Sequence, residues 1–380
     1  MTSEATTLTS RPRPPAPPKP ASGRPPLWLL VPLGAVAQVA IIAVMYNVRR
    51  GAVAARIANR AVIGAPRPVH FLFGKSDWIN MEEVGLVLML IVLAAAIAVY
   101  WQRYPKHPVL LMVFAATALI WLDPVMNWAP YAVYNPQLWH WPVSWPLVSL
   151  SPTVEPFVVA GYATFYVGPF FLAIWILRKV QARRPPGLFA WRHPLICLAV
   201  LIYIVGFVYD AIMEILCIRT GLYTYSQVIP FGSVFTGTAF QFPLLWESSL
   251  VTVVMIPAGV LLYRDDTGRT TAEKLAQRVR GFQGHPALGT FAVMFAILNV
   301  AYLCYGAAYA AIRVSGAATS VACPWPFPEA KVYDPQGLYQ KAGQRGPYFA
   351  GIWDGWESGQ SGRPNGTAPS RGGRCSPKTG

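Results

Sequence analysis

The sequence predicts an all-α protein: a polytopic membrane helix bundle of about seven transmembrane helices. Of its 380 residues, 54% are hydrophobic and only 12% are charged, about half the charged share of a typical soluble domain. The apolar residues are also clustered into several long windows without any charge, and about 20 apolar residues suffice to span a bilayer. Because backbone amides in lipid must be satisfied within their own segment, each window is expected to be helical.

The predicted bundle fills residues 27–312 and is flanked by two polar ends. The Pro-rich arm 1–26 is expected to be disordered. Residues 313–357 form an aromatic segment, and the Gly/Ser/Arg-rich tail 358–380 is again expected to be disordered. The third span is the shortest because it runs into Asp123-Pro124. The predicted spans are 27–46, 84–101, 108–122, 157–177, 194–217, 240–263 and 288–312.

The net charge of +15 is typical of proteins that bind nucleic acid, but the distribution of the charges along the chain indicates a membrane protein instead. Loops 178–193 and 264–287 are basic, whereas 123–156 has no Lys or Arg and 218–239 has only Arg219. This alternation predicts a multi-pass plasma-membrane protein with a cytoplasmic N-terminus and an extracytoplasmic C-terminus. The basic segment 47–83 does not fit this orientation, which we assign from the later loops. We expect the membrane as partner and no nucleic acid; the sequence does not indicate the oligomeric state.

Acidic residues inside predicted spans are costly and are expected to be functional. Asp210 and Glu214 are four residues apart and therefore share one helix face, and Glu247 lies in the sixth span. Asp123 ends the third span and Glu155 precedes the fourth. The predicted topology places all five toward the outer side, so we expect one cavity that opens outward.

Each acid also has a structural interpretation that the sequence leaves open. Asp123 and Glu155 each precede a proline, and such pairs are typical of helix boundaries. Glu214 could pair with Arg219 at the membrane rim. Asp210 and Glu247 are harder to explain in this way, because no Lys or Arg lies in any span near them.

The outer loops supply aromatic and polar groups. Loop 123–156 is rich in Trp, Tyr, Asn and Pro, and we expect it to fold back on the bundle as a lid. The loop after the fifth span brings Arg219, Tyr223 and Tyr225 beside Glu214. Phenols and carboxyls around an apolar cleft suit an apolar oxygenated small molecule or lipid, although Trp and Tyr are also enriched at membrane interfaces.

Several short motifs follow one another in a characteristic order: Asp123-Pro124 with Asn127 and Trp128, Tyr134-Asn135-Pro136, Ser151-Pro152, Glu155-Pro156, Tyr209-Asp210, Glu214 and Arg219-Thr220-Gly221-Leu222-Tyr223. Their order and spacing resemble the AveC-like spirocyclase family, actinobacterial membrane proteins whose founding member acts in avermectin biosynthesis. The resemblance covers roughly residues 28–350. It implies spiroketal formation on a polyketide, with an associated dehydration activity, and it does not transfer the substrate.

The implied chemistry suits these side chains. A dihydroxyketone closes to a hemiketal, loses water through an oxocarbenium ion and closes again, which requires an acid and a stabilising anion. We predict Asp210 or Glu214 as the general acid and Glu247 as the anion, without a cofactor or metal. Asp123, Tyr223 and Tyr225 would orient hydroxyls, and the remaining predicted substrate contacts are Asn127, Trp128, Tyr134, Asn135, Glu155 and Arg219.

Three alternatives remain open at this stage. The same acids would serve a dehydratase, isomerase or cyclase of a membrane lipid or terpenoid. They could also be proton or cation sites of a transporter or lipid-binding protein, although the sequence has no internal repeat of the kind that many transporters show. The carboxylates could hold Mg²⁺ or Mn²⁺.

Overall fold

The computed structural model describes residues 78–135, 138–142, 147–157, 159–185 and 187–323, with the single residues 72, 73, 75, 145, 327 and 338. Helices dominate this part of the chain, and its four strands are two or three residues long. The helices are α1 Trp78–Arg103, α2 Pro108–Thr117, α3 Asp123–Trp128, α4 Val159–Arg183, α5 Phe189–Arg192, α6 Pro194–Thr220, α7 Leu244–Leu262, α8 Thr271–Gln277 and α9 Pro286–Val314.

Six of the described helical segments are long and apolar enough to cross a membrane. They confirm the predicted all-α polytopic bundle and a multi-pass membrane protein. The predicted first span, 27–46, lies outside the described residues, as do the arm 1–26 and the tail 358–380. The six segments are Met81–Arg103, Pro108–Trp128, Gly161–Arg183, Pro194–Thr220, Leu244–Leu262 and Pro286–Val314.

The predicted boundaries of the third and sixth spans are wrong in ways that change where Asp123 and Glu247 lie. The third span does not end at Asp123, because a 3-10 turn, Ala118–Leu122, passes directly into α3. Pro124 lies in the first turn of α3, where the missing backbone N–H costs little. The sixth span begins at Leu244 rather than 240, so that Glu247 falls in the first turn of α7.

Close packing of α6 against α7 depends on a glycine. A Cβ atom added at Gly206 would lie 2.9 Å from both the Met255 Sδ and the Thr252 Cγ2 atoms, so only a residue without a side chain permits this approach. The next turn of α6 carries Asp210, and the preceding turn of the antiparallel α7 carries Ser248. The glycine contact therefore sets the distance between the polar groups of these two helices.

The loops at one end of the bundle are joined by short strands. Strand β1, Ala132–Tyr134, pairs antiparallel with β2, Tyr223–Tyr225, with Tyr134 opposite Tyr223. Strand β3, Gln227–Val228, pairs with β4, Ser320–Val321. The loop after α3 is therefore paired with the loop after α6, and the segment after α9 is paired with the loop after α6 as well.

Helices of alternating direction give the bundle two chemically different ends. The C-terminal parts of α3, α6 and α9 meet the N-terminal parts of α4 and α7 at one end, which we call the acidic end. The basic connections lie at the other, the basic end, where an Arg264 Nη2 atom is 2.8 Å from the Nε2 atom of His107. Arg178 donates a hydrogen bond of 2.7 Å to the Arg264 carbonyl there.

Candidate functional site

Asp210, Glu214 and Glu247 form what we call the three-acid cluster. Each offers a carboxylate oxygen, and these oxygens lie within 4.8 Å of one another. Asp210 and Glu214 come from consecutive turns of α6, and Glu247 comes from the first turn of α7. The structure therefore brings together the three residues that the sequence predicts as acid and anion, while their catalytic role remains a prediction.

The hydrogen bonds within the three-acid cluster leave several oxygens without a donor. Tyr225 donates to Glu214 at 3.1 Å, and Tyr305 donates to Glu247 at 2.8 Å. Asp210 has an exposed fraction of 0%, and neither of its oxygens accepts a hydrogen bond from the described residues. The Ser248 hydroxyl lies beside Asp210 without reaching hydrogen-bonding geometry.

The three-acid cluster also lacks a basic neighbour. No carboxylate of the cluster forms an ion pair with a Lys or Arg of the described residues. Two like charges 4 to 5 Å apart repel by about 3 to 4 kcal/mol at an effective dielectric constant of about 20. Three ionised carboxylates at these separations would incur that repulsion for each pair, so a proton or a cation must neutralise part of the cluster.

Asp123 and Glu155 form a second acidic site, which we call the amide-bridged pair. The Asn127 Nδ2 atom donates to the Asp123 Oδ2 atom at 3.3 Å and to the Glu155 Oε2 atom at 2.9 Å. Ser151 also donates to Glu155 Oε2, at 2.5 Å, and Tyr162 donates to Asp123. Burial, and then the neighbouring charge of Asp123, raise the pKa of the Glu155 carboxyl well above its usual value of 4.5.

A row of tyrosines on α9 connects the two acidic sites. The Tyr302 hydroxyl lies 2.9 Å from that of Tyr162 and donates to Asp123 at 3.4 Å. The Tyr302 ring stacks on Tyr305 with centroids 5.7 Å apart, and Tyr305 contacts Tyr309 at 5.4 Å. Sequence reasoning missed these residues, although their spacing of three and then four residues marks one helix face.

The strand pair β1–β2 places three of the predicted site tyrosines, Tyr134, Tyr223 and Tyr225, near the Glu214 carboxyl. The Tyr134 and Tyr223 ring centroids are 5.2 Å apart, and Tyr225 reaches Glu214 as described above. Burial raises the pKa of each of these phenols above 10.0, and nearby carboxylates add to the shift. Since an un-ionised phenol is a hydrogen-bond donor, these tyrosines are suited to donate to a carboxylate or to a bound oxygen.

Three other predicted site residues make contacts elsewhere. Arg219 lies over the Phe240 ring at 4.6 Å and forms no ion pair with Glu214 in the described part of the chain. The Asn135 amide donates to the Gly221 carbonyl at 3.1 Å, which fixes the loop. The guanidinium carbon of Arg313 lies over the Trp128 ring, 3.9 Å from its centroid.

Two further acids reach the acidic end from α1. Because the second span begins at Met81 rather than at the predicted residue 84, Glu82 and Glu83 enter it. Glu82 accepts a hydrogen bond from Thr220, and Glu83 accepts one from the Trp139 backbone N–H at 2.5 Å. The first bond attaches α1 to the end of α6, and the second attaches it to the loop after α3. From the sequence, both acids were expected in the segment 47–83 that precedes the second span.

A cleft reaches the tyrosine row from the surface of the acidic end. Tyr309, at its inner side, is a close neighbour of Glu247. The cleft therefore approaches the three-acid cluster from the side of α9. Its walls include Tyr131, Trp246, Tyr309, Ile312 and Arg313.

Comparison with known proteins identifies one family. The family model described as spirocyclase AveC-like matches residues 101–333, a narrower range than the 28–350 over which the motifs resemble that family. No curated protein and no solved structure matches the chain. The matched region contains α2 to α9, both acidic sites and the tyrosine row.

Proposed function

Because this chain belongs to the spirocyclase AveC-like family, we propose that it is a membrane-embedded, acid-catalysed cyclase acting on a hydroxylated ketone. The substrate is an apolar, oxygen-bearing polyketide or lipid, and the product is a spiroketal. The observation that carries the proposal is the three-acid cluster, in which three carboxyls within 4.8 Å of one another have no basic partner among the described residues.

The cluster can retain a proton in a place that water reaches poorly. Asp210 has an exposed fraction of 0% and Glu247 of 3%, so repulsion between the carboxylates is weakly screened. A carboxyl that stays protonated in this way can act as a general acid, while its ionised neighbour stabilises a developing cation. Lysozyme-type glycosidases divide these two roles between two carboxyls in the same way.

The proposed reaction loses one water and consumes no other reagent. One substrate hydroxyl adds to the ketone and gives a hemiketal. Asp210 or Glu214 protonates the hemiketal hydroxyl, the C–O bond breaks, and water leaves an oxocarbenium ion beside the Glu247 carboxylate. The second hydroxyl then attacks the same carbon, and its proton returns to the carboxylate that supplied the first one.

The tyrosines and the amide-bridged pair position the substrate in this proposal. Tyr223 and Tyr225 on β2, with Asp123 and Glu155 on the far side of the tyrosine row, supply donors and acceptors for hydroxyl groups. Trp128, Tyr134, Asn135 and Arg219 then act mainly by holding the outer loops in place.

The proposed orientation puts the acidic end outside the plasma membrane. Basic connections at the opposite end follow the positive-inside rule. Cys323, which follows β4 at the acidic end, is disulfide-bonded to a partner outside the described residues, and disulfides persist in oxidising compartments. Both features support an N-terminus in the cytoplasm and a C-terminus outside.

Mass spectrometry of lipid extracts tests the function. The native host with the gene deleted is compared with strains complemented by the wild type, by Asp210→Asn and by Tyr203→Phe. Tyr203 lies on the same helix, seven residues before Asp210, and donates to Ser249 at 3.0 Å at an exposed position. We expect a precursor heavier than its product by one water to accumulate in the deletion strain and with Asp210→Asn, but not with Tyr203→Phe.

The same experiment separates the cyclase from a transporter. An unchanged set of compounds whose distribution shifts between cells and medium would contradict the proposal and favour transport. Normal product with both Asp210→Asn and Glu214→Gln would exclude the assigned acids. A precursor isomeric with its product would indicate a cyclase or isomerase of a different substrate class.

A further inference from the structure

We propose that the three-acid cluster is also a binding site for a hard divalent cation, such as Mg²⁺, Mn²⁺ or Ca²⁺, which competes with the catalytic proton. This departs from the metal-free site that the sequence predicts. The inference rests on the proposed function only for its consequence, which is that the cation-bound protein is inhibited. Cation binding itself depends on the geometry alone.

The distances between the carboxylate oxygens fit a single ion. Three oxygens, one each from Asp210, Glu214 and Glu247, lie within 4.8 Å of one another. Three oxygens at that limit lie about 2.8 Å from a common centre, close to the length of a Ca²⁺–oxygen bond, which is about 2.3 to 2.6 Å. One ion of that size can therefore contact all three carboxylates after a small inward movement, and a smaller ion such as Mg²⁺ after a larger one.

A buried serine beside the three-acid cluster also indicates a missing ligand. The Ser248 hydroxyl has an exposed fraction of 0%, and its oxygen lacks a hydrogen-bond partner among the described residues. Neither oxygen of the buried Asp210 accepts a hydrogen bond there. Buried polar groups are normally satisfied, and an ion with bound water would satisfy both residues.

The donor set selects the class of ion. All candidate ligand atoms are oxygens, and no His or Cys belongs to the cluster, which suits Mg²⁺, Ca²⁺ or Mn²⁺ rather than zinc or copper. Tyr225 and Tyr305 donate to the outer carboxylate oxygens. Such supporting hydrogen bonds orient the ligands of a metal site.

Proton and cation would then exclude each other. A cation needs ionised carboxylates, whereas the proposed reaction needs one of them protonated. Cation binding should therefore strengthen as the pH rises, and the bound ion should block turnover. The cation would therefore limit activity wherever free divalent ions are abundant.

Binding of Mn²⁺ to the purified full-length chain in nanodiscs tests the site. After treatment with EDTA and its removal, Mn²⁺ is titrated and the free ion is measured by electron paramagnetic resonance. We expect one Mn²⁺ per wild-type chain, competed by Mg²⁺ or Ca²⁺ and lost at acidic pH. Asp210→Asn should weaken binding by more than about tenfold, whereas Tyr203→Phe and Asp123→Asn should bind as the wild type does.

Two results would overturn the inference: wild-type protein that binds no Mn²⁺, or binding that Asp210→Asn and Glu247→Gln leave unchanged, which would mean adventitious surface binding. If Asp210→Asn does not fold, Ser248→Ala tests the cation site instead, because this variant keeps all charges and should still bind Mn²⁺ more weakly.

Turnover is measured in a separate experiment. If the wild type binds no Mn²⁺ and Asp210→Asn is inactive, only the cation site is refuted. If the wild type binds Mn²⁺ and Asp210→Asn is fully active, only the cyclase is refuted.

Discussion

The two acidic sites are built from similar residues but differ in how their oxygens are satisfied. In the amide-bridged pair, Asn127 donates to both carboxyls and Ser151 adds a second donor to Glu155 Oε2, although Glu155 Oε1 has no partner among the described residues. In the three-acid cluster, Asp210 is buried and neither of its oxygens accepts a hydrogen bond within the described residues. The two sites lie on either side of one row of tyrosines, so their helical environment is shared.

The difference separates a structural role from a chemical one. A buried carboxylate with dedicated donors is held in place and stabilised, which favours a supporting or substrate-positioning role for the amide-bridged pair. A buried carboxyl without donors has an unfavourable environment that a proton, a cation or a substrate can relieve. Acid chemistry is therefore expected at the three-acid cluster, and the variants below test that contrast.

The largest expected effect is on turnover in the three-acid cluster. Asp210→Asn removes an acid or its coupled partner and should lower turnover by about 100-fold to 10,000-fold, with the protein still inserted and folded. Turnover is measured by conversion of the precursor that accumulates in the deletion strain. Tyr203→Phe on the same helix is the matched control; equal losses in both variants would indicate damage to α6 rather than to catalysis.

The next effect concerns stability at the amide-bridged pair. Asn127→Ala leaves two buried carboxyls without their shared donor and should lower the free energy of unfolding by about 1 to 3 kcal/mol, seen as a lower melting temperature in detergent. Asn299→Ala is the matched control, since Asn299 accepts a hydrogen bond from Trp121 at 2.9 Å at an exposed position. A larger loss of stability in Asn299→Ala than in Asn127→Ala would contradict the supporting role of Asn127.

A smaller effect is expected where the tyrosine row meets the three-acid cluster. Tyr305→Phe removes the 2.8 Å hydrogen bond to Glu247, so that the anion is less well oriented, and should lower turnover by about tenfold, which corresponds to about 1.4 kcal/mol. Tyr100→Phe provides the control, because Tyr100 lies at the basic end near His107. Unchanged turnover in Tyr305→Phe would show that Glu247 does not depend on this donor.

The smallest expected effect is a change in how stability depends on pH. Because burial and the charge of Asp123 raise the pKa of Glu155, the folded protein keeps this proton at pH values where the unfolded chain has lost it. Stability should therefore fall as the pH rises above 4.5, by at most about 1.4 kcal/mol per pH unit. Melting temperatures between about pH 5 and about pH 8 should depend less on pH in Glu155→Gln.

Asp265 offers a control of opposite sign for that titration. Its hydrogen bond from Lys274, followed by that from Thr267, lowers the pKa of its carboxyl to about 2. The stability that it contributes is lost only as the pH falls toward that value, so Asp265→Asn should leave the slope above about pH 5 unchanged. A slope in Glu155→Gln as steep as that of the wild type would show that Glu155 is not the titrating group.

Much of the fold could be predicted because a bilayer imposes a simple composition rule. Long apolar windows with few charges located all six described membrane spans, and the motif spacing identified the family. The boundaries were less predictable. Asp123-Pro124 has the local signature of a helix end, yet α3 continues to Trp128, because a proline in a first turn interrupts no hydrogen bond.

The candidate site was only partly predictable for a related reason. The spacing of Asp210 and Glu214 placed them on one face, but their distance from Glu247 depends on the contact of Gly206 with α7, which one sequence does not reveal. Arg219 follows Glu214 by five residues and could have paired with it, but its guanidinium lies over the Phe240 ring. The tyrosines of α9 were overlooked because aromatic residues in membrane spans are common.

Infrared spectroscopy tests the central claim most directly, namely that the three-acid cluster holds a transferable proton. Spectra of the wild type at neutral pH with EDTA are compared with those of Tyr203→Phe and of the triple variant Asp210→Asn, Glu214→Gln, Glu247→Gln. Because the raised pKa of Glu155 leaves a protonated carboxyl in every variant, we predict an additional protonated carboxyl C=O component in the wild type and in Tyr203→Phe, which the triple variant lacks and which added Mn²⁺ removes. An identical carboxyl band in the wild type and the triple variant would contradict the account.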